Sequence, residues 1–150
     1  MKQNGQYVEI ETHYQEKSSW GNNQSAQIEY KVWLPSDTNL ADIELVNGSL
    51  TINNVSGEVN AQVVNGSIKA TGLTKDSELS SVNGSIKLYL PSNINAKLDH
   101  ETMHGSIKTD FGLSAQYNTF TGHSLRGEIG SGEVKISMES VNGSIKVLKN

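Results

Sequence analysis

Val46-Asn47-Gly48-Ser49-Leu50 returns as Val64-Asn65-Gly66-Ser67-Ile68 and again as Val82-Asn83-Gly84-Ser85-Ile86, with a step of 18 residues each time. Met103-His104-Gly105-Ser106-Ile107 follows 21 residues on, and Val141-Asn142-Gly143-Ser144-Ile145 comes a further 38 residues later, about two periods. A period of this length marks a repeat architecture in which each unit stacks on its neighbour. A second pattern, Ser56-Gly57-Glu58-Val59, is echoed by Ser131-Gly132-Glu133-Val134, so a unit reads strand, turn, strand, turn.

Alternation identifies the strands. In Ser67-Ile68-Lys69-Ala70 and Ser85-Ile86-Lys87-Leu88-Tyr89-Leu90 apolar residues recur at every second position, and no 3.6-residue periodicity persists over a comparable window. Asn-Gly is also the strongest short hairpin signal, which would give an antiparallel meander. The identical 18-residue step argues against the meander. Equal coils stacked about 4.7–4.9 Å apart let every Asn, Gly, Ser and Ile lie over its counterpart, so that side-chain ladders and apolar columns run through the stack. The expected fold is an all-β, single-domain parallel β-solenoid (β-helix) of about 18-residue coils, two or three strands to a coil, with an N-terminal strand cap.

The composition agrees. A chain of 150 residues is one domain, able to bury roughly 68–70% of its unfolded surface. Hydrophobic residues make up 35% and charged residues 19%, with 14 Gly, and the surplus lies in Ser and Asn, which compete poorly for helix interiors. A net charge of −4 disfavours nucleic acid as a partner. With no cysteine there is no disulfide, thiolate metal site or Cys nucleophile, and the redox compartment stays open. No stretch approaches the roughly 18 apolar residues of a membrane span, and Met1–Tyr7 has no apolar signal-like core.

Within the domain, residues 1–45 read as capping strands, with alternation at Tyr7–Tyr14 and Gln27–Leu34 around a loop at Ser18–Ser25. Their aromatics Tyr7, Tyr14, Trp20, Tyr30 and Trp33 suit the cover that a solenoid's first edge requires. Residues 46–108 read as regular coils, 109–131 as an irregular insertion carrying Phe111, Tyr117 and Phe120, and 132–150 as the terminal coil. Insertions in repeat folds gather on one face and often carry binding. Only Lys146-Val147-Leu148-Lys149-Asn150 follows the last motif, so the C-terminal end of the solenoid is expected to be open. Such an end needs self-association, a partner, or the insertion folded back over it.

Val32-Trp33-Leu34-Pro35, Ile43-Glu44-Leu45-Val46-Asn47-Gly48-Ser49, the VNGSI units, Leu88-Tyr89-Leu90-Pro91 and Gly127-Glu128-Ile129-Gly130-Ser131-Gly132 together resemble the bacterial toast-rack β-solenoids, a domain family named for suspected adhesion. The resemblance covers about Gln27 to Asn150. It implies a non-enzymatic domain attached to or exported across the bacterial envelope, in some members beside envelope-stress systems, with no established catalytic residues to carry over. His104 in place of the motif Asn departs from the pattern, as does the lack of a visible export signal, so a cytoplasmic location stays open.

Several motifs invite chemistry. His100-Glu101-Thr102-Met103-His104 matches HExxH, the zinc-protease signature, whose two His must share a helix face to chelate one metal. Here the segment aligns with Glu44-Leu45-Val46-Asn47 and leads into the Gly105-Ser106-Ile107 turn, and on a strand the two Cα atoms would lie about 13 Å apart. No metal site, cofactor or catalytic residue is expected. Asn47, Asn65, Asn83 and Asn142 each begin Asn-Gly-Ser, formally a glycosylation acceptor, but their lock to the period assigns them to the turn. With Gly48, Gly66, Gly84, Gly105, Gly143 and the substituted His104 they form the expected structural ladder, the glycines supplying a conformation hostile to a β-carbon. Lys69, Lys87, Lys108 and Lys146 each follow the motif Ile and form an expected outer column. With Phe111, Tyr117 and Phe120 they make the candidate ligand face, for an envelope polymer, polysaccharide or protein; the bland alternative for the lysines is solubility and edge protection.

The expected function is therefore a non-enzymatic, envelope-associated adhesin-like, scaffold or sensing module, with homo-oligomerisation through a solenoid end as a further expectation. The competing reading is an enzyme: a polysaccharide-acting β-helix, marked by an acidic cluster in a groove across parallel strands, or an HExxH metallohydrolase.

Overall fold

The structure, a computed structural model, describes residues 2–4, 7–9 and 29–150. The chain divides into two units, residues 1–32 and residues 33–150. In the first, β1 (Lys2–Asn4) and β2 (Tyr7–Glu9) pair antiparallel, Lys2 opposite Glu9. The rest of the Tyr7–Tyr14 strand, the Ser18–Ser25 loop and the start of Gln27–Leu34 lie outside the described residues. Residues 29–34 are not a strand, which corrects that expectation: the alternation is present but pairs with no strand among the described residues, leaving Trp33 82% and Tyr30 58% exposed.

The second unit is a rack of five two-stranded coils. In chain order these are β3 (Leu40–Asn47) with β4 (Leu50–Asn53), β5 (Val59–Asn65) with β6 (Ile68–Thr71), β7 (Ser77–Asn83) with β8 (Ile86–Leu90), and β9 (Ala96–His104) with β10 (Ile107–Thr109). After β11 (Gln116–Asn118) and β12 (Gly122–Ile129), the fifth is β13 (Val134–Asn142) with β14 (Ile145–Lys149). The first strand of every coil joins a seven-stranded sheet, β11-β12-β9-β13-β7-β5-β3, and the second a five-stranded sheet, β10-β14-β8-β6-β4. All coil-to-coil pairings are parallel.

Coil order in space differs from coil order in sequence. The C-terminal coil sits between the third and fourth: β13 pairs with β7 on one side and β9 on the other, and β14 with β8 and β10. The expectation of an open C-terminal end is thereby corrected, since both edges of the last strands are already hydrogen-bonded. The end of the seven-stranded sheet is instead closed by the insertion, whose β12 runs antiparallel along β9 and buries Leu125 opposite His100. Phe111, Leu113 and Ala115 pack against the core there.

The core lies between the two sheets and is aliphatic. The motif Ile makes one column, Leu50, Ile68, Ile86, Ile145, Ile107, and the residue two further on makes another, Ile52, Ala70, Leu88, Val147. Ile68, Ile86 and Ile145 are fully buried, each contributing about 1.5–3 kcal/mol relative to exposure.

Each turn hydrogen-bonds the next. Gly48 N donates to Asn65 O, Gly66 N to Asn83 O, Gly84 N to Asn142 O and Gly143 N to His104 O, all at 2.9–3.0 Å. Beside this backbone ladder runs one of side-chain amides, Asn65 donating to Asn47 at 3.1 Å, Asn83 to Asn65 at 2.9 Å and Asn142 to Asn83 at 2.9 Å. The glycines are required by stacking more than by dihedral angle. Gly66 and Gly84 have positive φ whereas Gly105 and Gly143 do not, yet at all four a Cβ would fall inside the carbonyl oxygen of the glycine one coil away. Gly48, in the end coil, would meet only the Leu45 side chain, at 3.4 Å.

That difference yields an expectation. Gly84→Ala should lose at least about 2 kcal/mol more stability than Gly48→Ala, because both residues have positive φ but only Gly84 abuts a backbone carbonyl. Urea melts of the two variants measure it, and equal losses would mean that dihedral strain alone selects glycine.

Candidate functional site

The outer face of the five-stranded sheet is built by the same register that builds its core. One residue after each motif Ile points outward, so Lys69, Lys87, Lys146 and Lys108 occupy consecutive positions on β6, β8, β14 and β10, with Thr51 ending the row on β4. Successive rungs are about 4.8 Å apart, close enough for like charges to repel. Among the described residues no carboxylate forms an ion pair with any of the four. Lys69 Nζ lies 5.4 Å from the centre of the Tyr89 ring, a cation–π contact on the same face. The neighbouring outward row is uncharged on β4, β6, β8 and β14, where it holds Asn53, Thr71, Tyr89 and Leu148, and it ends just past β10 at Asp110, whose N–H donates to Val147 O at 3.0 Å.

The outer face of the seven-stranded sheet is the electrostatic opposite. Glu44, Glu78, Asp99, Glu101 and Glu139 point outward from its strands. Two of its cations are engaged: Arg126 bridges Asp99 at 3.0 Å and Glu101 at 2.8 Å, and Lys97 lies 3.9 Å from Glu128, while Lys135, beside Lys97 on β13, has no ion pair among the described residues. These contacts raise the Arg126 pKa further, the hydrogen bond to Asp99 contributing most.

The three aromatics expected to join the lysines do not. Phe111 is half-buried against the core with Lys149 Nζ 5.4 Å from its ring centre. Tyr117 and Phe120, 67% and 91% exposed, belong to the β11–β12 hairpin of the other sheet, where Tyr117 packs on His123 at 4.9 Å. The insertion thus serves first as an end cap, and the candidate ligand face reduces to the lysine row.

The HExxH segment is strand β9, as its context implied. His100 points into the core, completely buried in register with Met138, while His104 stands exposed at the turn in register with Asn142. Neither His100 ring nitrogen has a hydrogen-bond partner among the described residues. Desolvation lowers its pKa to about 4, opposed more weakly by the adjoining Asp99 peptide and carboxylate. Among the described residues no group of three or more His, Asp or Glu is placed to hold a metal.

Two features escaped sequence reasoning. The first is an inner row of hydroxyls: Ser81 Oγ donates to Gly66 O at 3.2 Å, Ser140 Oγ to Gly84 O at 3.2 Å and Thr102 Oγ1 to Gly143 O at 2.9 Å. These side chains are buried, and each satisfies the carbonyl against which the next glycine packs. The signal was a hydroxyl two residues before the motif Asn or His, where earlier coils have Leu45 and Val63. The second is a shallow groove of about 410 Å³ across β3, β5, β7 and β13, lined by Glu58, Asp76, Glu78 and Lys135 among others. A polysaccharide-acting enzyme would want an acidic groove of this kind, but Asp76 Oδ1 is committed to the Lys135 amide at 2.8 Å, and the groove is open rather than enclosed.

Two parallel-stacked sheets, one with an acidic outer face and one with a lysine row, enclose an aliphatic interior and define a repeat-built all-β rack. The sequence matches the Toastrack DUF4097 family over residues 35–148, and the chain belongs to that family. The fold is similar to the crystal structure of a candidate cell adhesion protein from Clostridium sporogenes ATCC 15579, with a TM-score of 0.53 and 16% identity over 72% of this chain. The match spans 55% of that protein's chain, about half its length. No curated protein matches the sequence. No helix among the described residues is long and apolar enough to cross a membrane.

Three expectations follow from the histidines. The unfolded chain takes up a proton at His100 below about pH 6.5 whereas the folded chain resists until about pH 4, so stability falls as pH drops through that window, by up to about 3 kcal/mol in total. Urea titrations at pH 7.5 and 4.5 should show this loss, and His100→Leu should remove most of the difference; an unchanged pH dependence in the variant would place the buried proton acceptor elsewhere. His104→Asn should add one rung to the amide ladder and be neutral or stabilising by up to about 1 kcal/mol. Zinc at equimolar ratio should leave the melting temperature of either protein unaltered, and a zinc-dependent rise that vanishes in His104→Asn would contradict the strand assignment.

Proposed function

We propose that the chain is a non-enzymatic, adhesin-like binding or scaffold module of the bacterial envelope. The observation that carries the reading is the lysine row, a line of cations without acidic partners among the described residues on an open sheet face, where an enzyme would place its chemistry in an enclosed, water-excluding site. Family membership supports it, and so does the likeness to a protein described as a candidate for cell adhesion. The stacked amide and hydroxyl ladders fix the positions of outward side chains, which suits recognition by a preformed surface.

The reading is tested by attachment and location. Labelled protein should bind isolated bacterial envelopes saturably, and fractionation of the producing cells should recover the protein with the envelope. Failure to bind together with an exclusively cytosolic pool would sink the proposal.

A further inference from the structure

The lysine row has a shape as well as a charge. Its members sit on successive rungs along the stacking axis, so the cations form a line one residue wide rather than a patch. Edge protection does not explain them. Lys69, Lys87 and Lys146 lie on β6, β8 and β14, which are paired on both sides, and only Lys108 lies on an edge strand. The opposite edge, β4, where such protection would be equally useful, presents Thr51 and Asn53. General solubility does not explain them either, because the chain already carries a net charge of −4. Like charges directly across a sheet destabilise it, so the fold bears this row at a cost.

Resting on the adhesin-like reading, we propose that this row is the binding site for a linear, carboxylated polysaccharide lying along the stacking axis. The step between rungs, about 4.8 Å, is comparable to the length of one sugar residue in an extended chain, so carboxylates that return to one side of the chain every two or three residues fall within reach of the row's long side chains. Lysine presents a compact point charge that follows a carboxylate without demanding the planar fork of arginine. Beside the line, the Tyr89 ring and the half-buried Leu148 offer an apolar border against which a sugar face can pack, while Thr71 and Asn53 supply hydroxyl and amide groups. Asp110, at the strand end beyond Lys108, accepts a hydrogen bond from the Lys149 backbone N–H at 3.1 Å. A membrane surface would be matched by a broad cationic area, and the adjoining row here holds no cation. Single-stranded nucleic acid is gripped by several stacking platforms, and among the described residues the strands of this face present one outward aromatic ring, Tyr89.

The test is calorimetric binding of the whole chain to polygalacturonate at 50 and 200 mM NaCl. Dextran, a single-stranded oligonucleotide and phosphatidylglycerol vesicles serve as the other arms. The expected result is binding to polygalacturonate that weakens roughly tenfold or more over that salt range, with none to dextran. Replacing Lys69, Lys87, Lys108 and Lys146 together by Gln should reduce the affinity at least tenfold. Replacing Lys31, Lys75, Lys97 and Lys135 by Gln, the same change in net charge, should alter it less than threefold. Thermal melts confirm that both variants fold; if the row variant does not, Lys87→Gln with Lys146→Gln is read in its place, with an expected loss of at least threefold. Absence of polygalacturonate binding, equal loss in both sets, or row-dependent binding to the oligonucleotide or vesicles alone would each overturn the proposal. Envelope attachment that persists in the row variant would overturn it while leaving the adhesin-like reading in place.

Discussion

The contact on which the rest of the rack depends is a glycine backbone pressed against the carbonyl oxygen of the glycine one coil away. There is no room for a β-carbon in that approach at Gly66, Gly84, Gly143 or Gly105. Once these backbones touch, the register of every coil is fixed, and the flanking residues have no freedom to slip. Asn falls over Asn and closes the amide ladder, the motif Ile falls over Ile and builds the core, and the residue after it falls over Lys. The buried hydroxyls of Ser81, Ser140 and Thr102 complete the arrangement by supplying donors to the same carbonyls. A shift by one residue would turn the isoleucines outward and the lysines inward, so core and binding surface are specified by one constraint.

This explains which parts of the molecule were readable from the sequence. The columns follow from the period alone, and the Asn, Ile and Lys rows stand where the spacing puts them. The order of coils does not follow, because the motif copies are interchangeable: Ile145 fills the slot between Ile86 and Ile107 as well as Ile107 itself could have filled it. What decides the slot is how the chain after Pro91 and the β11–β12 insertion route β9 to the far side of an empty position, a long-range matter without a local signature. Residues 29–34 failed differently, since alternation reports readiness to pair and cannot supply the partner strand. Of the candidate site, the lysine row was legible from spacing. The separation of Phe111, Tyr117 and Phe120 from it was not, because these residues lie in the aperiodic segment where no column argument applies.

The two faces have divided the charge between them. Acidic residues crowd the seven-stranded sheet, where Arg126 and Lys97 are paired with them and Lys135 stands beside Lys97, while the lysine row of the five-stranded sheet has no acidic partner among the described residues. A modest net negative charge therefore conceals a strongly polar molecule with one basic line. His100 shows the complementary rule for the interior: a titratable ring without a hydrogen-bond partner among the described residues is held neutral by burial in the core. Chemistry in this fold is displayed outside, and the inside keeps the display rigid.

The central claim, that a single stacking contact sets the whole register and places the C-terminal coil inside the rack, is most directly tested by methyl NOE spectroscopy on protein labelled at isoleucine δ1 positions. Ile145 should show cross-peaks to both Ile86 and Ile107, while Ile86 and Ile107, two rungs and about 9–10 Å apart, should show none to each other. A direct Ile86–Ile107 cross-peak with Ile145 touching only one of them would contradict the account.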